Sequence, residues 1–122
     1  MGQVFKPIAL VVEDDELQRS LVSALFEESD MRVIECESAE AALLVLDKVG
    51  CDVTVLFTGV DLAGAQSGAQ LAGIAMARFP KLTVLVTSGR KRPDLPDDAT
   101  FLPKPWRALD LLVHAEKAMT RH

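Results

Sequence analysis

Apolar positions along this chain alternate between two rhythms. Ile8-Ala-Leu-Val-Val12 is a continuous apolar run, closed abruptly by Glu13-Asp14-Asp15-Glu16. A short, Val-rich, uniformly apolar run predicts a strand buried on both faces. Leu17, Leu21, Ala24 and Leu25 then recur at helical spacing and predict a helix with that stripe buried. Its acidic start suits the positive end of a helix dipole. Met31 to Cys36 reads as a second strand, and Ser38 as the N-cap of an Ala- and Leu-rich helix from Ala39 to Val49. Gly50 is expected in the left-handed conformation that closes such a helix.

Val53 to Phe57 predicts a third strand, which runs into the small-residue loop Thr58-Gly-Val-Asp-Leu-Ala-Gly-Ala-Gln-Ser-Gly68. Ala69 to Phe79 is the third helix, stopped by Pro80, and Leu82 to Val86 the fourth strand, followed by Thr87-Ser88-Gly89. The rhythm then breaks. Arg90 to Ala99 holds two prolines and three aspartates without a helical stripe, so a loop is expected in place of a full helix. Thr100 to Pro103 predicts a short last strand, and Leu109, Leu112, Val113 and Met119 a terminal helix.

Strands alternating with helices across short connections imply a parallel sheet wrapped by helices through right-handed crossovers. In such sheets the site forms at the carboxyl ends of the strands, near a topological switch point. The residues there are Glu13-Asp14-Asp15, Thr58-Gly59, Thr87-Ser88 and Lys104-Pro105.

Composition narrows the function classes. The chain's 122 residues, 49% of them hydrophobic, suit one domain with one core, taken as residues 1–122 with its core at about 8–119. A net charge of −5 offers nucleic-acid phosphate no attraction. Arg90-Lys91-Arg92 is either a local exception or a solvated loop. No apolar run approaches the roughly 18 residues of a membrane span, and no signal-peptide segment opens the chain. Met1-Gly2 opens like a myristoylation signal, but Lys6 stands where Ser or Thr is wanted. A cytoplasmic location is expected, with Cys36 and Cys51 as free thiols. His114 and His122 are isolated and not expected to bind metal.

The strand-end residues share a chemistry. Adjacent carboxylates and a backbone carbonyl suit Mg²⁺, while a hydroxyl and an ammonium suit phosphoryl oxygens. What is lacking is a nucleophile projecting from the end of the third strand.

Three motifs, each at a predicted strand end, carry a resemblance over roughly Ile8 to Met119. They are Leu-Val-Val-Glu13-Asp14-Asp15, Val-Leu-Val-Thr87-Ser88-Gly and Leu-Pro-Lys104-Pro105-Trp106. The chain resembles the receiver domains of bacterial two-component response regulators, in the compact Thr-Ser-Gly form common in alphaproteobacteria. The resemblance implies a flavodoxin-like, doubly wound, five-stranded parallel sheet in the order 2-1-3-4-5, its fourth helix shortened or replaced by a loop. It assigns Glu13 and Asp14 to Mg²⁺, together with the backbone carbonyl of Asp61. Thr87 is the switch hydroxyl, Lys104 the partner of the phosphoryl oxygens, Pro105 a cis-peptide turn, and Phe101 the aromatic switch residue. Trp106 replaces the more usual Phe or Tyr.

The third strand departs from the family pattern Leu-x-Asp-x-x-Met-Pro-Gly. Leu62, Gly64 and Gly68 align with it, so the phosphoacceptor position falls on Gly59 and the proline on Ala63. Glycine cannot form an acyl phosphate, and the Mg²⁺ site loses a carboxylate, so metal affinity should be weakened. Lys104 is then free to pair with Asp14 or Glu13. The expected function is a stand-alone pseudo-receiver, not an enzyme, that works through contacts with a histidine kinase or another signalling protein. A homodimer is compatible with it, and neither nucleic acid nor membrane is an expected partner. The alternative is a phosphorylatable regulator, either one whose aspartate was replaced at 59 or one using another carboxylate such as Asp61. A flavodoxin-like redox protein shares the element order, but four acidic residues stand where flavin phosphate needs a hydroxyl- and Gly-rich loop.

Overall fold

Five runs of extended chain pair side by side in the computed structural model, which describes residues 6–90 and 92–121. Met1-Gly2, Lys91 and His122 lie outside the described residues. The strands are β1 (Ile8–Val12), β2 (Arg32–Cys36), β3 (Val53–Gly59), β4 (Thr83–Ser88) and β5 (Thr100–Pro103). All pairings are parallel, in the order β2-β1-β3-β4-β5. Every residue of β1, β3 and β4 is buried, while β2 and β5 keep exposed positions. That division follows from position, since only interior strands are covered on both faces and along both edges.

The helices are α1 (Glu16–Glu28), α2 (Ala39–Val49), α3 (Gly68–Arg78) and α4 (Ala108–Arg121). Side-chain alternation along β1 separates two cores. Ile8, Leu10 and Val12 meet α2 and α3, whereas Ala9 and Val11 meet α1 and α4. No helix occupies the described residues between β4 and β5. Leu95 and Ala99 of that connection bury into the core beneath α2 and α3. The doubly wound order and the missing fourth helix match the sequence expectation.

Several local expectations need correction. The buried face of α1 is Val22, Ser23, Leu25 and Phe26, while Leu17 and Leu21 are 83% and 54% exposed. Two stripes on this helix share Leu25, and the one carrying the large Phe26 side chain faces the sheet. In α4 the buried positions are Leu111, Ala115 and Ala118, whereas Leu109 and Val113 are 60% and 40% exposed. Small residues at 115 and 118 let the helix approach the sheet closely, which turns the bulkier positions outward.

Gly50 is right-handed (φ −54°, ψ −36°) and opens a short 3₁₀ turn over Gly50–Asp52. A Cβ there would overlap the tip of the Phe79 ring, so any other residue would displace that ring. The left-handed glycine is Gly64 (φ +99°), in the loop after β3. β3 runs to Gly59, two residues further than the apolar run indicated, and β4 is Thr83–Ser88. α3 starts at Gly68 behind a capping box of Ser67 and Gln70.

Candidate functional site

The carboxyl ends of β1, β3 and β4 bring the sequence-selected residues together. Gly59 is the last residue of β3 and pairs in register with Thr87 of β4. The Val60 N–H donates to the Thr87 carbonyl at 3.0 Å, and the Gly68 N–H to the Val60 carbonyl at 2.8 Å. These bonds fold the loop back on the strand. A Cβ at position 68 would overlap the Gly59 carbonyl, so Gly68 has to lack one. The loop's far side is held from α2, where Glu40 Oε2 accepts the N–H groups of Ala65 (3.2 Å) and Gln66 (3.1 Å).

Position 59 takes a side chain once Glu13, which leans toward it, gives by a few tenths of an ångström. A Cβ on Gly59 would lie 3.0 Å from Glu13 Oε2 and 3.8 Å from Leu62 Cδ2. Glu13 is buried, and its Oε1 accepts the Asp15 N–H at 3.2 Å. Its backbone is fixed by N–H donation to the Cys36 carbonyl (3.1 Å) and by Arg19 Nη1 donating to its carbonyl (2.8 Å). Burial pushes the Glu13 carboxyl above its ordinary value, and hydrogen bonding with Asp14 pushes it the same way. The Asp15 N–H and the Lys104 charge act in the opposite sense, but burial is the largest influence. Asp14 is exposed beside it.

Thr87 is buried, and its hydroxyl is engaged away from position 59. Thr87 Oγ1 donates to the Leu102 carbonyl at 2.8 Å and accepts the Trp106 indole N–H at 3.0 Å. Trp106 is braced by an edge contact with Phe57, ring centroids 6.0 Å apart. In sequence Trp106 is only a variant aromatic. The signal that marks it is chemical, because indole carries a donor that Phe lacks. Arg19, on the first turns of α1, and Glu40 were also missed, since their partners are distant or lie in an irregular loop.

Lys104 is exposed, its N–H bonded to the Ser88 carbonyl at 2.9 Å, and the Lys104–Pro105 peptide is cis. Among the described residues it makes no ion pair within 4.0 Å with Glu13 or Asp14, contrary to the pairing considered from sequence. Its charge reaches Glu13 through space. Asp61 is exposed on the loop beyond β3 and lies 3.9 Å from Arg90. Phe101 is half-buried against the core under α2 and α3.

Glu13 and Asp14 set two adjacent carboxylates at the end of β1, a donor type that suits a hard cation. Among the described residues, however, no group of three or more His, Cys, Asp or Glu side chains is placed to hold a metal. The donor set falls short of a three-carboxylate cradle because position 59 contributes no side chain.

No protein-family model and no curated protein matches the chain. Solved structures do. A receiver protein from Sinorhizobium medicae aligns with a TM-score of 0.85 at 18% identity, over 96% of this chain and 98% of that one. A receiver domain from Clostridium thermocellum gives 0.84 at 21%, over 94% and 95%. The receiver domain of the hybrid histidine kinase CckA gives 0.79 at 25%, over 92% and 98%. With a 2-1-3-4-5 parallel sheet and the strand-end residues gathered at one pole, the chain has the fold of a response-regulator receiver domain.

Proposed function

We propose that the chain, as a single domain over residues 1–122, is a pseudo-receiver of two-component signalling. It is not an enzyme, and it acts by protein contacts without phosphorylation at position 59. The observation that carries this reading is Gly59 at the end of β3, opposite Thr87, with the buried Glu13 carboxylate leaning into the space an aspartate would use. No acyl phosphate can form on glycine. The Thr87 hydroxyl, bonded to Leu102 and Trp106, has its single donor committed away from that space. Any Mg²⁺ would rest on Glu13, Asp14 and the Asp61 carbonyl, and would bind weakly because Mg²⁺ dehydrates reluctantly.

The contact surface is supplied by α1 and α4. Leu17 and Leu21 on the first turns of α1, and Leu109 and Val113 on the first turns of α4, are all exposed. Both helices start at the pole that carries Glu13 and Lys104, and they pack side by side. Exposed large apolar side chains grouped beside a site mark an interaction surface. The helical bundle of a histidine kinase, in the cytoplasm, is the partner this surface suits. The CckA receiver belongs to a hybrid histidine kinase, which supports the same class of partner.

Two measurements test the reading. Incubation with acetyl phosphate and Mg²⁺, followed by intact-mass and peptide mapping, should give no phosphoryl adduct. An adduct on Asp61 or another carboxylate would replace this function with that of a working phosphoryl switch. Leu21→Glu should abolish capture of the kinase dimerisation bundle and leave the unfolding free energy within about 0.5 kcal/mol of the parent. Undiminished capture by that variant would remove α1 from the contact surface.

A further inference from the structure

The opposite pole of the sheet carries a concavity. It lies at the amino ends of β3 and β4, a cavity of about 360 Å³ whose walls include Val53, Phe79, Pro80 and Leu82. β3 spans seven residues, so at ~3.3 Å per residue the cavity is roughly 20 Å from Gly59. Its existence depends on Gly50, where a Cβ would occupy the place of the Phe79 ring. The tip of the ring abuts Gly50, and the ring forms one wall. The volume is at the low end of the range for small-molecule sites, and the walls are mostly apolar, as such sites are.

The rim gives this cavity a charge preference. Arg78 and Lys81 both line it, in a chain whose net charge is −5. Arg78 sits 5.4 Å from the Phe79 ring centroid and pairs with Asp47, so part of its charge is already answered. Lys81 is exposed and makes no ion pair among the described residues. An ammonium at the edge of an apolar cavity complements a carboxylate on an apolar tail.

We infer that this cavity binds a small amphipathic carboxylate, its chain against Phe79 and Leu82 and its carboxylate at Lys81. The site is independent of the pole that carries Gly59, and of the function proposed there. The Cys51 thiol, which also lines the cavity, is exposed, whereas Cys36 is buried, so alkylation at residue 51 reports occupancy.

The experiment uses the full chain, with decanoate below its micelle concentration as the probe and 1-decanol as its uncharged counterpart. Decanoate should slow N-ethylmaleimide alkylation of Cys51 saturably and shift the backbone amides of Gly50, Phe79 and Leu82. Decanol should protect about tenfold more weakly, as loss of one charge-assisted hydrogen bond requires. Lys81→Gln, at an exposed position, should reduce decanoate to the level of decanol. Arg78→Gln is the second variant and should weaken decanoate more than it weakens decanol. Equal protection by decanoate and decanol, no saturable protection, or amide shifts confined to α1 and α4 would each overturn the inference. Decanoate protection undiminished in Lys81→Gln would do the same.

Discussion

Placing an aspartate at position 59 perturbs the site where its geometry is most informative. Gly59 is not among the positive-φ residues, so an L-residue fits the backbone, and loss of glycine should itself stabilise by about 0.5–1 kcal/mol. Gly59→Ala isolates that gain. Its Cβ arrives 3.0 Å from Glu13 Oε2, the far end of a flexible side chain that has to give by only a few tenths of an ångström. Gly59→Asp adds a carboxylate beyond that Cβ, into space bordered by Glu13 and Leu62. Two like charges ~4 Å apart at an effective dielectric of ~20 repel by about 4 kcal/mol, an upper figure before protonation or rotation relieves it. Glu13, already pushed up by burial, takes the proton. The net expectation is that Gly59→Asp is about 1–3 kcal/mol less stable than Gly59→Ala at pH 7.5 without metal. That gap should shrink at pH 5, and again in millimolar Mg²⁺, because the third carboxylate completes the cradle. Urea unfolding of both variants at the two pH values, with and without Mg²⁺, measures it. Equal stability of the two variants at pH 7.5 in chelator would refute the reasoning, as would a gap indifferent to both pH and Mg²⁺.

Three further outcomes follow from named contacts. Glu13 has a folded-state pKa raised above 4.5, so its favourable contribution is complete below that value and is lost as pH rises through the folded pKa. Glu13→Gln should therefore be more stable than the parent at neutral pH, and its stability should decline less as pH rises. Trp106→Phe keeps the edge packing on Phe57 but deletes the N–H that Thr87 Oγ1 accepts; a loss of about 1 kcal/mol in thermal unfolding is expected. A larger loss, with a changed near-ultraviolet spectrum of the aromatic core, would instead mark Trp106 as a packing residue first. Gly68→Ala drives a methyl into the Gly59 carbonyl and should cost about 3 kcal/mol, seen as a lowered urea midpoint.

Local pattern carried much of the fold. β1 was bounded correctly at Ile8 and Val12, as was α2 with its Ser38 cap, because uniform apolarity and an N-cap oxygen act over a few residues. The proline-rich connection after β4 carries no helix among its described residues, as its composition predicts, because proline removes a donor wherever it stands. Convergence of Glu13, Gly59, Thr87 and Lys104 on one pole was legible too, since a parallel sheet delivers every strand's carboxyl end to the same side.

Other features depend on which surface meets which, and no short window contains that information. Leu17 and Leu25 share one helical periodicity, yet one is exposed and the other buried, because the sheet took the Phe26 face of α1. Gly50 resembles a helix-closing glycine in sequence, but its cause is the Phe79 ring, 29 residues on (79 − 50), which leaves no space for a Cβ. The Thr87 hydroxyl was identified from its motif, whereas its direction was set by the Leu102 carbonyl and the Trp106 N–H. Glu13 was recognisable as an acid, but its lean toward position 59 and its raised pKa required burial, which arises only when β1, β3 and their loops close around it. Backbone preference is local and can be read along the chain, whereas burial, side-chain direction and charge environment belong to contacts between distant segments and exist only once those segments have packed.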